Sequence, residues 1–358
     1  MQEKAAEQAC CRQVCAVLAH WEPIISISCP SGPDKARSMS SASDPLNPLA
    51  QSTTIPVEPE LRLPFETLEP ATLSTPMVLS SPHSGAIYPA TFLAASRLSP
   101  KALRRSEDAY VDELFAKAQR LGIPMLKAHF PRAYLDLNRE PYELDPRMFD
   151  GPLPQTANTR SLRVAGGLGT IARVVAEGQE IYSGRLPVSE ALRRIDGLYK
   201  PFHHTLRGLL RRAQRAYGLA VLIDCHSMPS WIGAGTQKAE KVDADIVLGD
   251  RFGTACGGAI VELVERHLRD AGYHVQRNKP YAGGYITEHY GNPRAGFHAL
   301  QIEINRALYL DEESLEKRPG FNGLADDLAA MSCKLMALAQ EMSQASQGPA
   351  PGLPLAAE

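Results

Sequence analysis

Apolar and polar positions along the chain switch repeatedly between two periods. "TPMVLSSPHSGAIYP" carries an apolar run from Met77 to Ser80 that breaks at Pro82, which predicts a strand opening into a loop. "SPKALRRSEDAYVDELFAKAQRLG" has helical spacing through Tyr110, Leu114, Phe115 and Ala118, and Gly122 ends it. "IPMLKAHFPRAYLDLNREPYELDP" starts as a short strand and becomes a polar, proline-marked segment. "VSEALRRIDGLYKPFHHTLRGLLRRAQRAYG" predicts a long amphipathic helix, bent near Pro201 and closed by Gly218. "LAVLIDCHS" and "DADIVLGD" predict strands, and "GGAIVELVERHLRDAG" predicts a helix stopped by Gly272. "YHVQRN" and "FHALQIEINRALYL" add strands, "YAGGYITEHYG" reads as a glycine-flanked loop, and a last helix spans about 323–342. Strands alternating with helices predict an α/β fold, with a mainly parallel or mixed sheet flanked by helices. No internal repeat or boundary interrupts 59–342, so that span is expected to be a single catalytic domain.

The ends break this pattern. Residues 1–58 lack periodicity and finish in "SMSSASDPLNPLAQSTTIPVEPE", a composition expected to stay disordered, as is the 343–358 tail. "ACCRQVCAVLAH" imitates a signal peptide, but its charges are mixed and its apolar run is short. Cys10, Cys11 and Cys15 with His20 resemble a metal cluster, but no scaffold fixes their geometry. Met39 is an alternative start.

Composition narrows the class. The 358 residues are 44% hydrophobic and 22% charged, with a formal net charge of −2. That suits a soluble globular protein and supplies no basic field for nucleic acid. No apolar run is long enough to span a membrane. Cys225, Cys256 and Cys333, the cysteines of the body, form no CxxC pair and suggest reduced thiols in a cytoplasmic protein. Oligomeric state leaves no signature.

Candidate chemistry sits at strand ends. "VLIDCHSMPS" runs from an apolar strand into Asp224, Cys225, His226 and Ser227, and "SSPHSG" carries His83. In "HALQIEINRALYL" apolar positions alternate with Gln301, Glu303 and Asn305, which then share one face. Each feature has a bland reading: a structural histidine, a Glu303–Arg306 ion pair, a solvated face at Asp108 and Asp112. Together, two histidines and a carboxylate make a three-ligand metal site with an open position. Such a metal lowers the pKa of water, and a second carboxylate serves as general base. "FPRAYLDLNREP" brings Arg132, Asn138 and Arg139 together, and "NTRSLR" adds Arg160 and Arg163. Guanidinium groups bind carboxylates, so a small carboxylate-bearing substrate is expected. The alternative is a set of surface arginines paired with Glu140, Glu143 and Asp145. Tyr285, His289 and Tyr290 mark a loop that could approach a ligand or be a plain turn. Cys225 points away from Asp224 and His226, which argues against a cysteine hydrolase.

"SSPHSGAIYP", "RRSEDAYVDELF", "PRAYLDLNREPYELDPRMF", "LIDCHSMPS", "DIVLGDRFGTAC", "NKPYAGGYITEHYG" and "HALQIEINRALYLDE" together resemble the N-formylglutamate amidohydrolase family over residues 75–315. The resemblance implies a zinc carboxypeptidase-like fold and hydrolysis of N-formyl-L-glutamate to formate and glutamate, in histidine degradation. It implies Zn2+ or another divalent metal on His83 and His226. The carboxypeptidase third ligand, three residues after the first histidine, would fall on Ala86. Asp108 is taken instead, with Glu107 and Asp112 as alternatives. Glu303 is the expected general base, and Asp224 orients a ligand. Arg132, Asn138, Arg139, Arg160, Tyr285 and His289 are expected to bind substrate. Rival readings are a zinc amidase or peptidase acting on another N-acylated amino acid and a silent metal-binding homologue.

Overall fold

The computed structural model describes residues 58–232 and 240–347. The segment before 58, with its cysteine cluster and Met39, and the tail beyond 347 lie outside these described residues.

One seven-stranded sheet organises the chain. Its strands are β1 (Phe65–Leu68), β2 (Met77–Ser81), β3 (Met125–Ala128), β4 (Ala220–Met228), β5 (Ile246–Gly249), β6 (Val275–Arg277) and β7 (Phe297–Asn305). They lie in the order β1-β3-β2-β4-β7-β5-β6. The central run β3-β2-β4-β7 is parallel. β1 is antiparallel to β3, and β5 is antiparallel to β7 while pairing parallel with β6, so the sheet is mixed. β1 carries no sequence signal of its own; its four residues are all half-buried on an edge.

Every residue of β4 is buried. That follows from a central strand with helices on both faces, where neither side chain direction meets water. Ala220 and Leu222 pack with Ala299 of β7 against helices α1 (Val188–Arg194) and α2 (Lys200–Tyr217). Val221, Ile223 and Cys225 pack with Leu300, Ile302 and Ile304 against α3 (Gly258–Asp270) and α5 (Phe321–Gln347). Asp224 and His226 therefore fall on the α1/α2 face, and Cys225 on the other.

Several segments depart from the expected pattern. The stretch 99–121 is broken into Pro100–Arg104, Val111–Leu114 and Ala116–Arg120, with Tyr110 in the left-handed region at φ 63°. The expected loop at 283–290 contains a short helix, α4 (Tyr285–Tyr290), that starts only after Gly284. The bend expected near Pro201 is a π-helical turn, Ile195–Tyr199, ending two residues before it. α5 runs on to Gln347, five residues beyond the expected end at 342. Glu58, the last residue of the span expected to stay disordered, is buried, accepting from Thr91 at 2.7 Å and Arg193 at 2.9 Å.

Candidate active site

The site forms where β2, β4 and β7 end on the α1/α2 face. β4 and β7 pair in register, with Gln301 opposite Asp224 and Glu303 opposite His226. His83 follows β2 by two residues, in a turn pressed against the chain after β3. A Cβ on Gly85 would lie 2.3 Å from the Phe130 carbonyl oxygen, so only glycine lets the turn pass there. Asp108 occupies the break in the 99–121 segment, where its N–H donates to the His83 carbonyl at 3.1 Å. The helical interruption thus carries an acid to the sheet edge.

His83, Asp108 and His226 are all buried, and one ligand atom from each lies within 4.8 Å of the others. Asp108 Oδ2 is 2.9 Å from His226 Nδ1 and 3.4 Å from His83 Nδ1. The opposite nitrogen of each ring meets another carboxylate: His83 Nε2 lies 2.8 Å from Asp136 Oδ1, and His226 Nε2 lies 2.9 Å from Asp224 Oδ2. Each Nε2–H can donate outward, turning both Nδ1 lone pairs toward the Asp108 oxygen. His83 Nδ1 has no hydrogen-bond partner despite its burial. Three such donors converging in a buried space need a proton or a metal ion between them. The carboxylate behind each histidine is the arrangement that orients metal-binding imidazoles. This donor set could hold a divalent metal, and its nitrogen and oxygen atoms suit zinc without excluding others.

The other two acids near Asp108 are occupied. Glu107 is paired with Arg104 at 3.1 Å and accepts from Tyr88 at 2.7 Å. Asp112 faces Lys127 at 3.2 Å. Only Asp108 of the three joins the histidines.

Electrostatics separate the carboxyls. Burial alone would raise Asp108 and Asp136. The imidazoles of His226 and His83 hold Asp108 well below the usual range, and Arg132, Arg139 and His83 do the same for Asp136. Burial opposes charge on His226, but Asp224 and Asp108 outweigh it and raise that ring well above the ordinary imidazole value. Glu303 behaves differently. Burial pushes its carboxyl up to about 7, against the pull of His226 and with the help of Asp108. Gln301 Nε2 donates to Glu303 Oε1 at 2.8 Å, while Gln301 Oε1 accepts from Gly284 N–H at 2.7 Å. Arg306 does not pair with Glu303 as the bland reading held; its guanidinium lies 3.0 Å from Asp108 Oδ1 and donates to Ser227 Oγ at 3.1 Å.

The expected substrate-binding residues divide. Arg132 stays at the site, with one nitrogen 2.7 Å from Asp136 and its side chain a quarter exposed. Asn138 is committed within the protein: its amide nitrogen donates to Asp224 Oδ2 at 3.3 Å, lying 3.1 Å from His226 Nε2, and its oxygen accepts from Ile286 N–H at 2.7 Å. Arg139 is likewise spent, donating to the carbonyls of Leu168 at 2.9 Å and Asn138 at 2.8 Å. Arg160 is exposed, and no described contact of its side chain brings it to the centre. Tyr285 and His289 stack on each other and line an open groove beside Tyr199 and His203.

Two residues escaped the sequence reading. Asp136 sits between the buried Leu135 and Leu137, and an acid in that setting was the available signal. Tyr281, four residues before Tyr285, packs beside Met228 and feels the charges of the centre. Burial raises its phenol to about 12, with Glu303 and Asp108 adding to the rise and Arg306 and Arg132 opposing it.

A model of the family described as N-formylglutamate amidohydrolase matches residues 75–310. An N-formylglutamate deformylase of Pseudomonas aeruginosa is 30% identical over 242 residues, 67% of this chain and 84% of that protein. Another, from Pseudomonas putida, is 29% identical over 240 residues, 66% of this chain and 82% of that one. The crystal structure of an N-formylglutamate amidohydrolase from Ralstonia eutropha superposes with a TM-score of 0.72 at 37% identity, covering 78% of this chain and 99% of the other.

Proposed function

Since this chain belongs to the N-formylglutamate amidohydrolase family, we propose that it cleaves the amide of N-formyl-L-glutamate, releasing formate and glutamate, in a metal-dependent reaction. The observation that carries the metal dependence is the convergence of His83 Nδ1, Asp108 Oδ2 and His226 Nδ1, each ring backed by its own carboxylate. A divalent ion held by these atoms, zinc by preference, would polarise the formyl carbonyl and acidify water.

The chain's own groups supply the rest. Glu303, near neutrality in its pKa, accepts a proton from water at Oε2 and later returns it to the leaving amine. Gln301 occupies Oε1 and so fixes which oxygen does this work. Asp136 and Asp224 hold the two imidazole rings against rotation. Arg306 neutralises the outer oxygen of Asp108. Arg132 has guanidinium nitrogens beyond the one on Asp136 and is the carboxylate anchor, with Tyr281 beside it. Arg160 serves only if the exposed segment carrying it folds over bound substrate. The same region, 59–342, is proposed to act as one catalytic domain, with the reaction serving histidine degradation in the cytoplasm.

The test is formate release from N-formyl-L-glutamate by purified protein, with metal quantified before and after chelation. Activity that falls on chelation and returns with zinc is the expected result. Metal bound without formate release would overturn the substrate and leave the site. A panel of other N-acyl amino acids would then identify the acyl group and side chain accepted.

A further inference from the structure

Asp108 gives its two oxygens to different partners. Oδ2 faces the imidazoles, 2.9 Å from His226 Nδ1 and 3.4 Å from His83 Nδ1. Oδ1 accepts from Arg306 Nη2 at 3.0 Å. Both side chains are buried. Neutralising the acid would need no more than this contact, yet the guanidinium is tied down at two further points. Its Nε donates to Ser227 Oγ at 3.1 Å, and its Nη1 donates to the Arg105 carbonyl at 3.0 Å.

The three acceptors bind separate parts of the chain to one another. Ser227 stands on β4 next to His226, and Arg105 opens the break that carries Asp108. Arg306 itself begins a 3-10 turn, Arg306–Leu308, directly after β7, and Asn305 Oδ1 caps that turn by accepting from Ala307 N–H at 3.1 Å. A planar fork engaged at all three nitrogens cannot follow a carboxylate that rotates. Turning Asp108 to give both oxygens to one ion would leave a buried guanidinium N–H without its acceptor, which is costly.

We propose that Arg306 is a positioning residue that limits Asp108 to one donor oxygen, Oδ2, and thereby biases the centre toward small ions of low coordination number. The inference rests on the metal centre proposed above and adds what selects the ion. Zinc is satisfied by three protein atoms and an open position. Manganese and calcium gather about six or more donors and gain more from a carboxylate that supplies two.

The test is competition between zinc and manganese(II) for the full-length protein after chelation, with bound metal quantified. Both ions carry two charges, so the charge removed by a substitution cancels in the ratio of their affinities. Arg306→Met keeps the length without donors, and its zinc-over-manganese ratio should fall at least about tenfold. Arg306→Lys keeps one cationic donor for Oδ1 and should fall less. A wild-type ratio in Arg306→Met, or an equal fall in both variants, would overturn the proposal. A crystal structure of the zinc-loaded wild type needs no variant to fold. Oδ2 alone at about 2.0–2.2 Å from the ion, with Arg306 still on Oδ1, is expected; both oxygens on the ion would overturn the proposal. Wild-type protein that binds neither metal would overturn the metal centre itself, and this inference with it.

Discussion

At the scale of single residues, His226 is the best-defined group of the centre. One ring nitrogen meets Asp108 and the other meets Asp224, and Asn138 closes the remaining approach. A ring held between carboxylates at both nitrogens keeps one orientation, which is what a metal ligand needs. Asp224→Asn keeps the shape and removes the charge behind the ring. It should weaken metal binding about 10- to 100-fold; competition with a metal chelator measures it. Glu303 plays another part. Its carboxyl, raised to about 7 by burial, can both take and give a proton near neutral pH. Glu303→Gln keeps the hydrogen-bonding outline and should retain the metal while turnover falls about 10²- to 10⁴-fold. A variant with near-normal formate release would remove Glu303 from the mechanism.

At the scale of elements, the site rests on one strand pair and one helix start. The pairing of Gln301 with Asp224 and Glu303 with His226 puts four polar side chains on one face. The polar face of β7 was legible in sequence because Gln301, Glu303 and Asn305 alternate with apolar residues, whereas β4 is an apolar run that turns polar only at Asp224. The Asp108 break was half legible. The acid stood out, but the helical spacing of Tyr110, Leu114 and Phe115 ran through it, and the break depends on contacts to His83 remote in sequence. Asp136 was hidden among more conspicuous neighbours: Arg132 pairs with it, Arg139 lies 3.7 Å away, and the Asn138 backbone N–H donates to it. α4 was read as a loop because its glycines precede it closely. The second of them explains itself in three dimensions: a Cβ on Gly284 would lie 2.4 Å from the Asn138 amide nitrogen. Gly284→Ala must therefore displace the amide that touches His226. It should lower the melting temperature and cut kcat by tenfold or more (about 1.4 kcal/mol at the barrier), with KM less affected. Wild-type kinetics in this variant would show that Asn138 is not held as tightly as the contact implies.

At the scale of the whole molecule, α2, α4 and the loop before Asn138 are locked together through one imidazole. His203 Nε2 lies 2.9 Å from the Leu137 carbonyl, which can only accept, so Nε2 carries the proton. Nδ1 is then the acceptor for the Tyr290 hydroxyl at 2.9 Å. A proton added at Nδ1 would put a charge in a buried site, and burial, the main cause, lowers the ring's pKa to about 4. The unfolded chain returns this histidine to about 6.5, so between the two values the unfolded state binds more protons. Stability from His203 is therefore complete above about pH 6.5 and is lost as pH falls toward 4. The size is about 2 kcal/mol between pH 7 and pH 4.5, treating the shift as a single titration. Denaturant unfolding of wild type and His203→Gln at those two pH values isolates it, since other groups titrate alike in both. The loss of stability on acidification should be about 2 kcal/mol smaller in the variant. An equal loss in both proteins would mean that the α2–α4 junction tolerates a charged ring. The acid sensitivity between those pH values would then come from the other histidines whose pKa values burial lowers, His267, His289 and His298, because the carboxylates around His83 and His226 lose their contribution only below the usual carboxylate range.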